Sequence, residues 1–97
     1  MGWFDTIKYS THQHYFAKED IRKIVRQVNA HSSSVSKTEE EIVECLVAEG
    51  RHGDGKISLQ QIWRLLTRLK NEHKLSETDR KVLMAAFEAY FKEKFGE

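Results

Sequence analysis

Gly50-Arg51-His52-Gly53-Asp54-Gly55-Lys56-Ile57-Ser58-Leu59-Gln60-Gln61 decides how the rest of this chain is read. The sequence has no proline, and apart from Gly2 and Gly96 all of its glycines fall in this segment, so the strongest backbone breakers gather at one central turn. On either side the apolar period is near 3.6 rather than 2. Upstream, Ile21, Ile24, Val25 and Val28 recur at i, i+3, i+4 and i+7 and predict a helix over Ala17–Ala30. A polar connector follows, and Ser36-Lys37-Thr38-Glu39 has the form of a capping box opening a second helix on Ile42, Cys45 and Leu46, ending near Glu49. Downstream, Ser58-Leu59-Gln60-Gln61 is another capping box. It leads into the stripe Ile62, Leu65, Leu66 and Leu69 of a third helix ending near Asn71. Ser76, with Glu77 and Asp79 in the first turn, opens a fourth helix on Val82, Leu83, Ala86, Phe87, Tyr90 and Phe91. That helix closes near Phe95, with Gly96 as its C′ residue.

The chain has 97 residues, which predicts one domain able to bury roughly 65% of the surface exposed on unfolding. An apolar fraction of 39% and a charged fraction of 32% exclude wholesale disorder and a disulfide scaffold. The net charge of +1 supplies no overall basic field of the kind nucleic-acid binding needs, so no nucleic-acid partner is expected. One cysteine, Cys45, allows no internal disulfide and suits a reducing compartment. No apolar run approaches the roughly 20 residues of a membrane span, and the opening residues lack a secretory apolar region, so a cytoplasmic location is expected. The second helix is net acidic between two net basic neighbours, which predicts mutual attraction across solvated faces, each exposed pair contributing about 0–1 kcal/mol.

The central segment has the length of an EF-hand loop, with Gly55 at the sixth place and Ile57 at the eighth. It resembles the EF-hand family over about Ser36–Leu69, and more weakly over Ser76–Phe91. The resemblance implies that the glycine permits the sharp reversal and that the isoleucine plugs the core while letting the loop pair with another loop through a short β-bridge. The liganding places depart from the family: Gly50, His52 and Gln61 stand at one, three and twelve, and only Asp54, at five, is a carboxylate in position. Placing Glu49 first would move Gly55 and Ile57 off the two places that fit. Asp54, Gln61 and His52 are therefore the candidate metal ligands, with calcium binding weak or absent and no cofactor required. No second loop follows the fourth helix, so either the helices complete a lobe by themselves or the domain pairs with another chain, a homodimer included. The four-helix plan also resembles the TerB-like helical domains of tellurite resistance, on few residues.

Residues 1–16 form an aromatic arm before a helical domain at 17–97, and Trp3, Phe4, Ile7, Tyr9, Tyr15 and Phe16 must cover some surface. Either the arm lies along Trp63, Phe87 and Phe91, where the EF-hand resemblance implies a groove for a target helix, or it displays its own aromatics to a partner. Trp63, Phe87, Phe91, Trp3 and Phe4 are thus the candidate partner-binding residues. His12 and His14 read as an incidental surface pair, since no carboxylate or cysteine completes a ligand pattern. Met1-Gly2-Trp3-Phe4-Asp5-Thr6 fits the outline of an acylation signal, but bulky Trp3 argues against it, and no membrane association is expected without acylation. Cys45 is expected in the core of the second helix, and no nucleophile, base and orienting group assemble, so no enzyme is expected. The basic side of the third helix, Arg64, Arg68, Lys70 and Lys74, reads as a solvated face. The expectation is a mainly α, four-helix, EF-hand-like bundle with an aromatic arm, acting as a non-enzymatic protein-interaction or regulatory module that binds a partner's hydrophobic or amphipathic segment. The alternative is a metal-dependent sensor.

Overall fold

Each of the four apolar periods closes into a helix. The computed structural model describes residues 9–31 and 35–96, and its elements run β1 (His14–Tyr15), α1 (Lys18–His31), α2 (Lys37–Glu49), β2 (Lys56–Ile57), α3 (Leu59–Asn71) and α4 (Glu77–Phe95). The protein is mainly helical, with one small antiparallel sheet. Both capping boxes form as written: Ser36 and Ser58 accept from the N–H groups of Glu39 and Gln61, whose side chains accept in return from the cap N–H groups. Gly96 ends α4 in the left-handed conformation.

β1 pairs with β2 in the register His14↔Ile57 and Tyr15↔Lys56, and the Phe16 N–H continues the ladder to the Gly55 carbonyl at 3.0 Å. The segment beside Ile57 is therefore this chain's own arm rather than another loop. Its short strand alternates: His14 leans on α4, Tyr15 is 55% exposed on the other face, and Phe16 is fully buried.

The sheet joins two halves built alike, β1–α1–α2 and β2–α3–α4. Phe16, Ile21, Val25 and Val28 in the first correspond, at one constant spacing, to Ile57, Ile62, Leu66 and Leu69 in the second. Past the connectors, Val35, Ser36, Val43 and Val47 correspond to Leu75, Ser76, Leu83 and Phe87 at a spacing one residue shorter. Every apolar member of both sets is buried. Within each half the two helices pack as a hairpin. Between halves α1 packs on α4 more extensively than α2 does on α3. Arg22 reaches Glu44 at 2.9 Å, and Glu40 accepts from Asn29 at 2.6 Å with Arg26 at 3.9 Å, so basic α1 does hold acidic α2.

Candidate functional site

The arm fills the surface on which a target was expected to lie. Phe16 stacks on Tyr90 with centroids 5.0 Å apart and meets Phe87 and Phe91 edge-on at 5.8 and 5.3 Å. Phe87 and Phe91 are 0% exposed, so as partner-binding residues they are corrected to core. Trp63 is half-buried, with the Tyr9 ring 5.5 Å away and the Arg80 guanidinium 4.2 Å over its face. The arm backbone is fastened there as well: the Tyr9 N–H donates to Gln60 Oε1, and the Gln60 N–H donates to the Ser10 carbonyl, each at 3.0 Å. The other two candidates on the arm, Trp3 and Phe4, lie outside the described residues.

The central turn closes on its own backbone. The His52 N–H donates to the Lys56 carbonyl at 2.8 Å, and the His52 carbonyl accepts from Gly55 and Lys56 at 2.9 Å. Gly55 sits at φ 94°, where a β-carbon would press on Tyr15 and Arg51 at 3.1 Å. At Gly50 the constraint is space, since a β-carbon would stand 2.6 Å from Leu65 Cδ1. Arg51 ties the turn to the arm by donating to the Ala48 and Phe16 carbonyls at 3.0 and 2.9 Å. Of the three candidate ligands, Asp54 and His52 are exposed around the apex, whereas Gln61 Oε1 accepts from the Ser58 N–H at 2.8 Å and from Gln13 Nε2 at 3.2 Å. The oxygen proposed for the twelfth place is thereby committed to capping α3. Among the described residues no group of three or more His, Cys, Asp or Glu is placed to hold a metal ion.

A second polar cluster joins the start of α1 to the end of α4. Tyr90 Oη donates to Asp20 Oδ2 at 2.7 Å, and Lys94 Nζ stands 3.5 Å from the same oxygen. The tyrosine hydrogen bond, followed by the lysine charge, outweighs burial and holds the Asp20 carboxyl below the usual range. Burial first, then the aspartate, pushes the Tyr90 phenol up. Asp20 lies in the first turn of its helix and Lys94 in the last turn of its own, so both helix dipoles favour this clip.

Among the described residues, uncovered apolar surface lies elsewhere, between α2 and α3. Val43 and Val47 turn α2 toward the core, which leaves Ile42 and Leu46 half-buried and Cys45 exposed. The expectation that Cys45 is a core residue is corrected: it lies one position outside the face that α2 buries. With Leu69 these side chains floor a hollow of about 380 Å³, walled by Glu41 and Glu49 on α2 and by Arg68, Glu72 and Lys74 on the α3 side, with Thr38 at one end. The signal for this groove was present in the sequence, because α2 carries two apolar stripes, Val43/Val47 and Ile42/Cys45/Leu46, where a helix with one buried face needs one.

No family model, curated protein or solved structure matches this chain. No helix among the described residues is long and apolar enough to cross a membrane.

Proposed function

We propose that this protein is a non-enzymatic interaction module of EF-hand-like plan whose α2–α3 groove receives an amphipathic helix of a partner protein. The observation that carries this reading is the second apolar stripe of α2: Ile42, Cys45 and Leu46 face a hollow that the described residues leave open, while Tyr9 and Phe16 of the arm cover Trp63, Phe87 and Phe91. The walls add charge complementarity. One edge, Glu41 and Glu49, calls for basic residues on the occupant, and the other, Arg68 and Lys74, calls for acidic ones, flanking a stripe of Leu or Ile at i, i+3, i+4 and i+7. Two sides of the domain, each drawn from both halves, then have distinct roles: the sheet and the α1–α4 side hold the fold, and the α2–α3 side recognises. The supporting test uses a synthetic 18-residue helical peptide with a leucine stripe, lysines on one edge and glutamates on the other. A fluorophore on Cys45 should report saturable binding that Leu46→Arg removes, with the melting temperature of the free protein kept. A scrambled peptide of equal composition that binds equally well would overturn the reading.

A further inference from the structure

The pairing of β1 with β2 relates the two halves by a local two-fold. Tyr15 and Lys56 are partners, and they also hold the same place in their halves, at the spacing that carries Phe16 to Ile57. The pair His14–Ile57 then has Gly55–Phe16 as its counterpart, and the 3.0 Å bond from the Phe16 N–H to the Gly55 carbonyl is found there. The two-fold carries α1 onto α3 and α2 onto α4, so the crease between α1 and α4 is the counterpart of the one between α2 and α3. At the two spacings already given, Asp20, Ile24 and Tyr90 in the first crease correspond to Gln61, Leu65 and Gly50 in the second. The first crease is closed by a ring. α4 runs on to Phe95, beyond the point that matches the end of α2 at Glu49, and Tyr90 begins that extra length. It stacks on Phe16 at 5.0 Å, shares a hollow with Ile24 and donates from its hydroxyl to Asp20 at 2.7 Å. In the second crease Gly50 has no side chain to do this, and among the described residues a hollow of about 260 Å³ stays open, lined by Gly50, His52, Gln61, Arg64 and Leu65. That is below the roughly 300–1,000 Å³ of sites that enclose a whole small molecule, and it suits one side chain.

We propose that this hollow receives the ring of a tyrosine carried by the partner, in the place that Tyr90 fills in the other half. The hollow prolongs the groove: Gly50 follows Glu49 of the acidic wall, and Arg64 and Leu65 lie one turn before Arg68 and Leu69. Leu65 supplies its apolar wall and leans over Gly50, to 2.6 Å from where a β-carbon would stand, so the chain carries no substituent of its own there. The polar edge donates. Gln61 Oε1 is taken by the Ser58 N–H and by Gln13, which leaves the Nε2 group as donor, and Arg64 and His52 are exposed at the rim. A phenol oxygen accepts from such donors, a phenyl ring offers them nothing and an indole only donates, so the edge selects tyrosine over phenylalanine and tryptophan. That the ring arrives on an amphipathic helix rests on the groove reading, and that the hollow takes a phenol ring does not.

p-Cresol, which is the tyrosine side chain without its backbone, tests the hollow by itself. Added to the full chain at millimolar concentration, it should shift the amide NMR signals of Gly50, Arg64 and Leu65 saturably. Leu65→Phe, which puts a ring of this chain into the hollow, should abolish those shifts. Shifts scattered over the surface, or none, would overturn the proposal, and if the variant does not fold, the wild-type map decides. The leucine-stripe peptide gives a second readout. With tyrosine one turn beyond one end of its stripe it should bind about fivefold or more tightly than with alanine there, and tyrosine beyond the other end should add nothing. Equal affinities for tyrosine and alanine at both ends would overturn the proposal and leave the groove standing. Failure of every peptide while p-cresol still maps to the hollow would count against the groove alone. A p-cresol response seen only in Trp3→Ala or Phe4→Ala would assign the hollow to the chain's own arm and overturn the proposal as well.

Discussion

Replacing Phe16 by alanine is the most direct test of whether the arm belongs to the core. The ring is fully buried and lies against Tyr90, Phe87 and Phe91, with centroids 5.0 to 5.8 Å away. Emptying a buried phenylalanine site removes its transfer free energy and leaves a cavity in an aromatic cluster that cannot collapse freely, at a cost of about 3–5 kcal/mol. Set against the 5–15 kcal/mol typical of domains, this is a large fraction of the total, and for a domain of this size it corresponds to a fall in Tm of roughly 15–30 °C. Tyr15→Ala is the matched control, one residue away on the open face of the same strand and 55% exposed, and should cost about 1 kcal/mol or less. Urea denaturation by circular dichroism reads both. Equal losses in the two variants, or a Phe16→Ala loss under about 1 kcal/mol, would refute the argument that the arm completes the core.

Gly55→Val should destabilise by about 1–3 kcal/mol more than Asp54→Ala, because the glycine is at φ 94° against Tyr15 and Arg51 while the aspartate is exposed at the apex; thermal melts compare them. Tyr90→Phe should cost about 1 kcal/mol at neutral pH through the lost hydrogen bond to Asp20. Because the Asp20 carboxyl is held below its ordinary value of 3.8, that contribution is full above 3.8 and fades as pH falls through the lower folded value, so the gap between variant and wild type should narrow toward about pH 2 in acid denaturation. Calcium at about 100 μM should leave Tm unchanged, since Gln61 Oε1 is engaged in the α3 cap and Asp54 is the one carboxylate among the candidate ligands; a saturable rise abolished by Asp54→Ala would restore the sensor reading.

The helices were legible because their ends carry local chemistry. Ser36 with Glu39, Ser58 with Gln61, and Gly96 each satisfy backbone groups within a few residues of themselves, and the structure uses all three as their spacing implies. The count of aromatics showed that the arm must cover a surface but left open whether that surface was Trp63, Phe87 and Phe91 or a partner, and the structure puts Phe16 against Phe87 and Phe91 and Tyr9 against Trp63. What escaped depends on partners distant in sequence. β1 is two residues long, too short for a period of two to show. Cys45 was assigned to the wrong side because α2 is apolar on two adjacent faces, and periodicity alone does not choose between them. Asp79 looked like an ordinary first-turn acid, yet at the start of α4 it is 2% exposed, a burial that local sequence does not signal.

The pairing of β1 with β2 bears on the order in which this protein assembles. Each helical hairpin is local and can form by closing a connector of a few residues, but neither half covers its own apolar face. Tyr15 and Lys56 meet only after the whole of α1 and α2 has been laid down between them, and Phe16 enters its site through that same pairing. Closing so long a loop is entropically unfavourable until the core rewards it, so the sheet forms late and couples the two hairpins into one transition. The smallest element of the fold thereby acts as the latch that makes folding all-or-none, and neither hairpin can persist as a stable half-domain once it is undone.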